Sequence, residues 1–214
     1  DAREIDEWRS ASAVVTDPPY GRNWRSGGGL GAPRDRGRRA PRHHGIRGDR
    51  DTTARDEVLA LFAGEKVIVF GDPLIAPPPG AVQALVYAKA ADAGVRGAYA
   101  GRRRDIEMVY LVGTGWRAGI GGATSVLRSS SHAAGPTCAS ARFGHPHAKP
   151  LDLMVELVVM TSAADIADPF AGSGSTLAAA QTLGIPAIGV EIDEAYCERA
   201  ARRLSQTPLV VGSL

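Results

Sequence analysis

Asp168-Pro169-Phe170-Ala171-Gly172-Ser173-Gly174-Ser175-Thr176, running on through Leu177-Ala178-Ala179-Ala180-Gln181 to Ile185-Pro186-Ala187-Ile188-Gly189-Val190-Glu191, decides the fold of this chain. The stretch reads as strand exit, glycine loop, helix, strand and acid. Glycines at 172 and 174 let the backbone turn sharply and approach a ligand, and they lead into a helix whose first N–H groups have no intrahelical partner. Glu191 stands seventeen residues beyond Gly174, at the end of the next strand, where a carboxylate accepts hydrogen bonds from ribose hydroxyls. A nucleoside cofactor is the ligand this pattern implies.

Elimination narrows the choice. A phosphate loop of the GxxxxGK[ST] kind needs a lysine after its last glycine, and position 175 is Ser, which disfavours ATP and GTP. A dinucleotide fingerprint needs a third glycine at 177; Leu177 weakens the NAD reading without removing it. The bland reading is a glycine-rich helix entry with no ligand.

A second signal lies near the start. Ala13-Val14-Val15-Thr16 is an apolar run ending in Asp17-Pro18-Pro19-Tyr20. Two consecutive prolines fix φ and lack N–H groups, so the carbonyls near Asp17 and Pro18 are not consumed by a helical or turn ladder. They stand beside a carboxylate and an aromatic ring, a setting that suits a planar exocyclic amine such as a nucleobase carries. Ordinary strand-exit turns also contain Asp-Pro-Pro, so the tetrapeptide needs the rest of the chain.

The third signal is His145-Pro146-His147-Ala148-Lys149-Pro150 leading into Leu151-Asp152-Leu153-Met154-Val155-Glu156-Leu157-Val158-Val159-Met160. Pro150 suits a first helical position, and apolar residues at 153, 154, 157, 158 and 160 form a buried stripe. His145 and His147 as metal ligands lack a further ligand at suitable spacing.

These three segments together resemble the amino-methylating DNA methyltransferases, which act on N6 of adenine or N4 of cytosine. Asp17-Pro18-Pro19-Tyr20 resembles their catalytic motif, residues 145–150 resemble their HPxxKP motif, and residues 168–176 are similar to their S-adenosylmethionine loop. The order, target-base motif first and cofactor loop last, is that of the beta group. The resemblance is close over residues 12–20 and 145–204 and thinner between.

The resemblance implies an α/β, doubly wound, Rossmann-like methyltransferase fold with circularly permuted motif order, in a single domain over 1–214. Permutation is harmless, because the family's strands one and four are neighbours and both motifs meet at the sheet's carboxyl edge. It implies catalysis by Asp17, Pro18, Pro19 and Tyr20. Cofactor binding falls to Lys149, Pro150, Asp168, Phe170, Gly172, Ser173, Gly174, Thr176 and Glu191, with the segment around the lysine lining the methionine end. S-adenosylmethionine is the cofactor, without a metal, and double-stranded DNA is the partner. Adenine is preferred over cytosine because Asp rather than Ser opens the motif. Two other readings stand beside this one: a non-catalytic DNA-binding protein that keeps the fold, and a nucleotide-dependent dehydrogenase, which leaves the Asp-Pro-Pro-Tyr segment without purpose.

Composition bounds the rest. The 214 residues can bury one substantial core, and 44% apolar residues with no uninterrupted apolar run of membrane-spanning length argue a soluble, cytoplasmic protein. Cys138 and Cys197 give no disulfide framework; neither follows a proline in a loop, which disfavours thiolate attack on a ring carbon. The net charge of +2 does not announce a nucleic-acid binder. Its distribution says more: residues 22–55 hold ten arginines against three aspartates, with His43 and His44 and no hydrophobic period. Residues 21–57 therefore read as a basic flap contacting phosphates, with Arg22, Arg25, Arg38 and Arg39 as DNA-binding candidates. The bland reading is a solvated loop in a chain that prefers Arg to Lys, 22 to 3.

Residues 114–143, irregular and holding Trp116 and Arg117, match the family's target-recognition insert by position. Thirty residues are few for major-groove reading, so either specificity is short and relaxed or a second subunit of a homodimer helps. The coarse pattern predicts a helix end over 58–63, strands over 66–70, 82–88 and 108–112, and a closing helix over 194–204. The chain opens with Asp1, which the resemblance aligns with the last acid of the family's third strand; that strand is then missing, or residues 208–211 supply it.

Overall fold

The computed structural model describes residues 1–23, 46–90, 102, 104–117, 123–130 and 148–205. Seven strands form one sheet: β1 Ala13–Thr16, β2 Lys66–Gly71, β3 Ala81–Ala88, β4 Ile106–Gly113, β5 Val126–Arg128, β6 Ile166–Asp168 and β7 Ala187–Gly189, in the order β5-β3-β4-β2-β1-β6-β7. β1 runs parallel to β2 and β6, and β6 to β7, while β4 is antiparallel to both β2 and β3. β5 is parallel to β3, so β4 alone is reversed and the sheet is largely parallel. Among the described residues the sheet joins four α-helices, α1 Thr53–Ala60, α2 Leu151–Thr161, α3 Ser175–Leu183 and α4 Glu194–Ser205.

Alternation along the strands explains the two cores. On one face Ala13 and Val15 of β1, Ile68 and Phe70 of β2, and Val109 and Leu111 of β4 meet Leu153, Met154, Leu157 and Val158 of α2 and Ala179 of α3. On the other, Val14, Val67, Val69 and Tyr110 pack with Trp8 and with Val58 of α1. Covering both faces is what lets β1 be buried at all four positions. Each large side chain removed from water contributes about 1.5–3 kcal/mol. Trp8 is fully buried, and its indole N–H donates to the Ala2 carbonyl at 2.9 Å, so its polar atom adds no desolvation penalty.

The glycine loop and its helix depend on one close approach. A Cβ on Gly189 of β7 would stand 2.6 Å from Leu177 Cδ1 and 2.9 Å from Ala171 Cβ. The space that a dinucleotide fold gains with a third glycine on its helix is thus gained here on the strand, and Leu177 fills it. Gly174, at φ +75°, would place a Cβ 3.1 Å from Ala200 Cβ of α4.

Several sequence expectations move. Pro150 is not the first helical residue but the residue before it: its ψ is 141°, and its carbonyl accepts the Met154 N–H at 3.1 Å. Of the flap anticipated over 21–57, residues 47–50 form a turn, residues 51–52 a bend, and α1 begins at Thr53; residues 24–45 lie outside the described residues. The buried Asp49 carboxylate holds this part down, accepting the Gly21 N–H at 2.8 Å and the Arg22 N–H at 3.2 Å. A polarity-based reading sees Asp49 as solvent-seeking and misses its backbone partners. The helix anticipated over 58–63 ends at Ala60. Within the irregular stretch 114–143, Val126–Arg128 forms a strand because Leu127 is buried against the first core. The strands over 66–70, 82–88 and 108–112 and the closing helix lie where the pattern placed them, to within two residues at each end. Among the described residues no strand pairs with the outer edge of β7; residues 208–211 lie outside them, as do His145 and His147. No helix among the described residues is long and apolar enough to cross a membrane.

Candidate active site

β1 and β6 are adjacent, with Ala13 opposite Ile166 and Val14 opposite Ala167, so the segments leaving their carboxyl ends are side by side. This is where the chain order reverses: β2 lies on one side of β1 and β6 on the other, which opens a crevice. The two strand ends are tied by Thr16 Oγ1, which donates to Asp168 Oδ1 at 2.6 Å, and by Thr176 Oγ1, which donates to the Val15 carbonyl at 3.2 Å. A cavity of about 380 Å³ occupies the crevice. Its walls bring together Asp17, Pro18, Pro19, Tyr20, Lys149, Asp168, Phe170, Gly172, Ser173, Thr176 and Glu191, residues drawn from all three sequence motifs.

On the glycine-loop side, α3 starts at Ser175 with no side chain capping it, so its first amide groups face the loop. Glu191 is tied into the loop: Oε2 accepts the Gly172 N–H and Oε1 the Asp193 N–H, both at 2.8 Å. Each oxygen keeps a lone pair for a further donor. The other face of the loop is held by Arg203 of α4, whose Nη1 donates to the Ser175 hydroxyl at 3.0 Å. Asp168 is 3% exposed; burial raises its carboxyl to about 6, against the pull of the Thr16 hydroxyl and other donors.

The Asp17 side carries a charge network that the motifs alone did not show. Tyr20 Oη donates to Asp17 Oδ1 at 2.7 Å, and Lys149 Nζ lies 2.7 Å from Asp17 Oδ2. The same ammonium lies 3.1 Å from Glu107 Oε2, and Lys89 Nζ lies 2.7 Å from Glu107 Oε1. Phe70 sits under Lys149, the nitrogen 4.6 Å from the ring centre. Burial alone would lower the lysine's affinity for its proton, but Asp17 and Glu107 outweigh it and hold the ammonium above its ordinary range. Burial would likewise raise Glu107, yet Lys149 and Lys89 bring it down to about 2. Tyr20 is pushed well up, by burial first and then by Asp17 and Glu107, and stays a neutral phenol.

Lys149, expected toward the methionine end of a cofactor, therefore sends its ammonium to the Asp17 side. Glu107 and Lys89 were missed as site residues. A signal for Glu107 was present: it shares the core-facing register of β4 with Val109 and Leu111, and a carboxylate in that row needs a buried partner. Arg22 pairs with the buried Asp72 beside the cavity. Trp116 packs its partly buried ring against the first core and Arg117 is exposed, and neither lines the cavity. Arg25, Arg38 and Arg39 lie outside the described residues.

The family model for the N6/N4 DNA methylases matches residues 24–202. The chain belongs to this family. The match starts just past Tyr20, so the Asp-Pro-Pro-Tyr segment adds its geometry independently. Among solved structures, this methylase fold is similar to the M1.HpyAVI–SAM complex at 17% identity and TM-score 0.57, over 90% of this chain and 88% of that one. It is similar to TTHA0409, a putative DNA modification methylase from Thermus thermophilus complexed with S-adenosyl-L-methionine, at 19% identity and TM-score 0.57, over 96% and 90%. The PvuII DNA methyltransferase, cytosine-N4-specific, aligns at 14% identity and TM-score 0.60, over 94% and 82%. No curated protein matches the sequence.

Proposed function

We propose that this methylase binds S-adenosylmethionine and methylates N6 of an adenine turned out of duplex DNA. The observation that carries the reading is the single cavity in which Asp17-Pro18-Pro19-Tyr20 and the Gly172–Gly174 loop meet at the ends of adjacent strands. The residues fit the cofactor: an uncapped helix start, a carboxylate with spare lone pairs at Glu191, and Gly172, whose lack of a side chain leaves its backbone bare on the cavity wall. Phe170, Gly172, Ser173, Thr176 and Glu191 hold the nucleoside part, with Asp168 beneath. S-adenosylmethionine supplies an activated methyl group when bound.

The chain's own residues do the rest. Tyr20 offers its ring to the extruded base, whose unstacking costs a few kcal/mol. Asp17 and the Pro18 carbonyl accept the two amino hydrogens, which draws the nitrogen toward tetrahedral geometry and aims its lone pair across the crevice. No covalent enzyme intermediate is required, and Asp17 need not take the proton before the nitrogen becomes cationic. The basic segment with Arg25, Arg38 and Arg39, together with Arg22, Trp116 and Arg117, contacts the duplex around the base. Asp at the head of the motif favours adenine over cytosine.

The test is transfer of labelled methyl from S-adenosylmethionine to unmethylated duplex DNA, followed by nucleoside digestion and mass identification. N6-methyladenine is the expected product. N4-methylcytosine keeps the mechanism and overturns the base, and no label despite cofactor binding supports a non-catalytic DNA-binding protein.

A further inference from the structure

Both oxygens of Asp17 are engaged in the structure, Oδ1 by the Tyr20 hydroxyl and Oδ2 by the Lys149 ammonium. A neutral amine entering the cavity competes poorly with a charge-assisted bond of 2.7 Å. Pulling Lys149 into the open would strand a cation that is 6% exposed, at a cost far above one hydrogen bond. The molecule holds a third option. Glu107 Oε2 lies 3.1 Å from the same nitrogen, but it is buried and makes no aligned hydrogen bond among the described residues. Its other oxygen is fixed by Lys89. A shift of about 0.3 Å with realignment turns the Lys149–Glu107 contact into a full charge-assisted bond. Phe70 lies beneath the ammonium, so its ring stabilises the cation at either carboxylate.

We infer that Lys149 is a placeholder for the target amine: it occupies Asp17 in the absence of the base and passes to Glu107 when the base enters, which makes Glu107 a positioning residue for base capture. The inference rests on the base-methylating reading above. The exchange leaves the count of charges in the cavity unchanged, because Lys149 is always paired and Lys89 anchors the receiving carboxylate. Asp17 is thereby freed as an acceptor only while a base is there to use it.

The test compares wild type, Glu107→Gln, Lys149→Met and the double variant in steady-state methyl transfer to unmethylated genomic duplex DNA, with S-adenosylmethionine affinity and thermal unfolding measured in parallel. In Glu107→Gln the receiving charge is gone and Lys149 stays on Asp17, so the KM for DNA rises about tenfold, the loss of one charge-assisted bond. The cofactor Kd stays within about twofold in the same protein. In the Lys149→Met background the same Glu107→Gln change has no further effect on KM, because there is nothing left to receive. A purely structural Glu107 would lower the unfolding temperature and leave this coupling absent. An unchanged KM in Glu107→Gln, or an equal rise in both backgrounds, overturns the inference. Should Glu107→Gln fail to fold, Glu107→Asp keeps the charge but withdraws it by one methylene, and it must raise KM in the same direction; an unchanged KM there overturns the inference too. A wild-type protein that transfers no methyl overturns the base-methylating reading itself, which separates the two failures.

Discussion

Asp168→Asn should make the ligand-free protein more stable at neutral pH. The carboxyl at the end of β6 is 3% exposed and titrates at about 6, against about 3.9 for an unfolded aspartate. A folded pKa above the unfolded one means that the native state binds the proton more tightly, so ionisation opposes folding. The penalty is absent below the unfolded value, grows as pH rises from about 4 to about 6, and then levels off at roughly 3 kcal/mol. Asn keeps Oδ1 as the acceptor for Thr16 Oγ1 at 2.6 Å and for the Phe170 N–H at 3.1 Å, while removing the charge. Urea unfolding of both proteins at pH 4.5 and 7.5 isolates the effect, because carboxylates such as Glu107, whose folded pKa is depressed, change equally in the two. The stability of the variant relative to wild type should rise by about 2 kcal/mol between those pH values. In a domain of this size that is about 4–8 °C in unfolding temperature. A difference that does not vary with pH refutes the argument, since it would mean that Asp168 is not ionising in a desolvated site.

Asp17→Asn should reduce methyl transfer on the order of 10²–10³-fold, as loss of a preorganised charged group at the reacting nitrogen does, while S-adenosylmethionine affinity measured by calorimetry stays near normal; joint loss of both contradicts the role given to Asp17. Gly189→Ala should cost about 1–3 kcal/mol, because its Cβ would stand 2.6 Å from Leu177 Cδ1, and adding Leu177→Ala should restore part of the denaturation midpoint. Ser162→Gly should raise stability by roughly 0.5–1 kcal/mol, since Ser162 ends α2 at φ 52°, where a side chain is strained; an unchanged midpoint counts against the strain.

The parts of the fold legible in the sequence are those where local chemistry and burial agree. The continuous apolar runs of β2 and β4 and the glycine loop before α3 each carry a local signal, a short apolar block or a turn residue, that tertiary contacts reinforce. The strand at Val126–Arg128 was illegible because three residues are too few to show a period, and it exists only because β3 offers an open edge. The order of residues 46–52 was hidden for a related reason: a segment with two arginines and two aspartates in seven residues looks solvated, and it is held by the buried Asp49, whose carboxylate accepts from Gly21 and Arg22.

By itself the sequence determined the chemistry available to this methylase: a proline-stiffened carboxylate and tyrosine, a glycine loop with an acid after the next strand, and a lysine before a buried helix. Residue type and short spacing suffice there, because φ restriction, missing N–H groups and glycine freedom act within a few bonds. Tertiary structure alone decided which charges those groups meet. Glu107 and Lys149 are forty-two positions apart, and Asp17 is farther still; they touch because β1, β2 and β4 are adjacent and the segment ahead of α2 lies across their ends. Coulomb energy depends on distance and local dielectric, and neither is written along the chain.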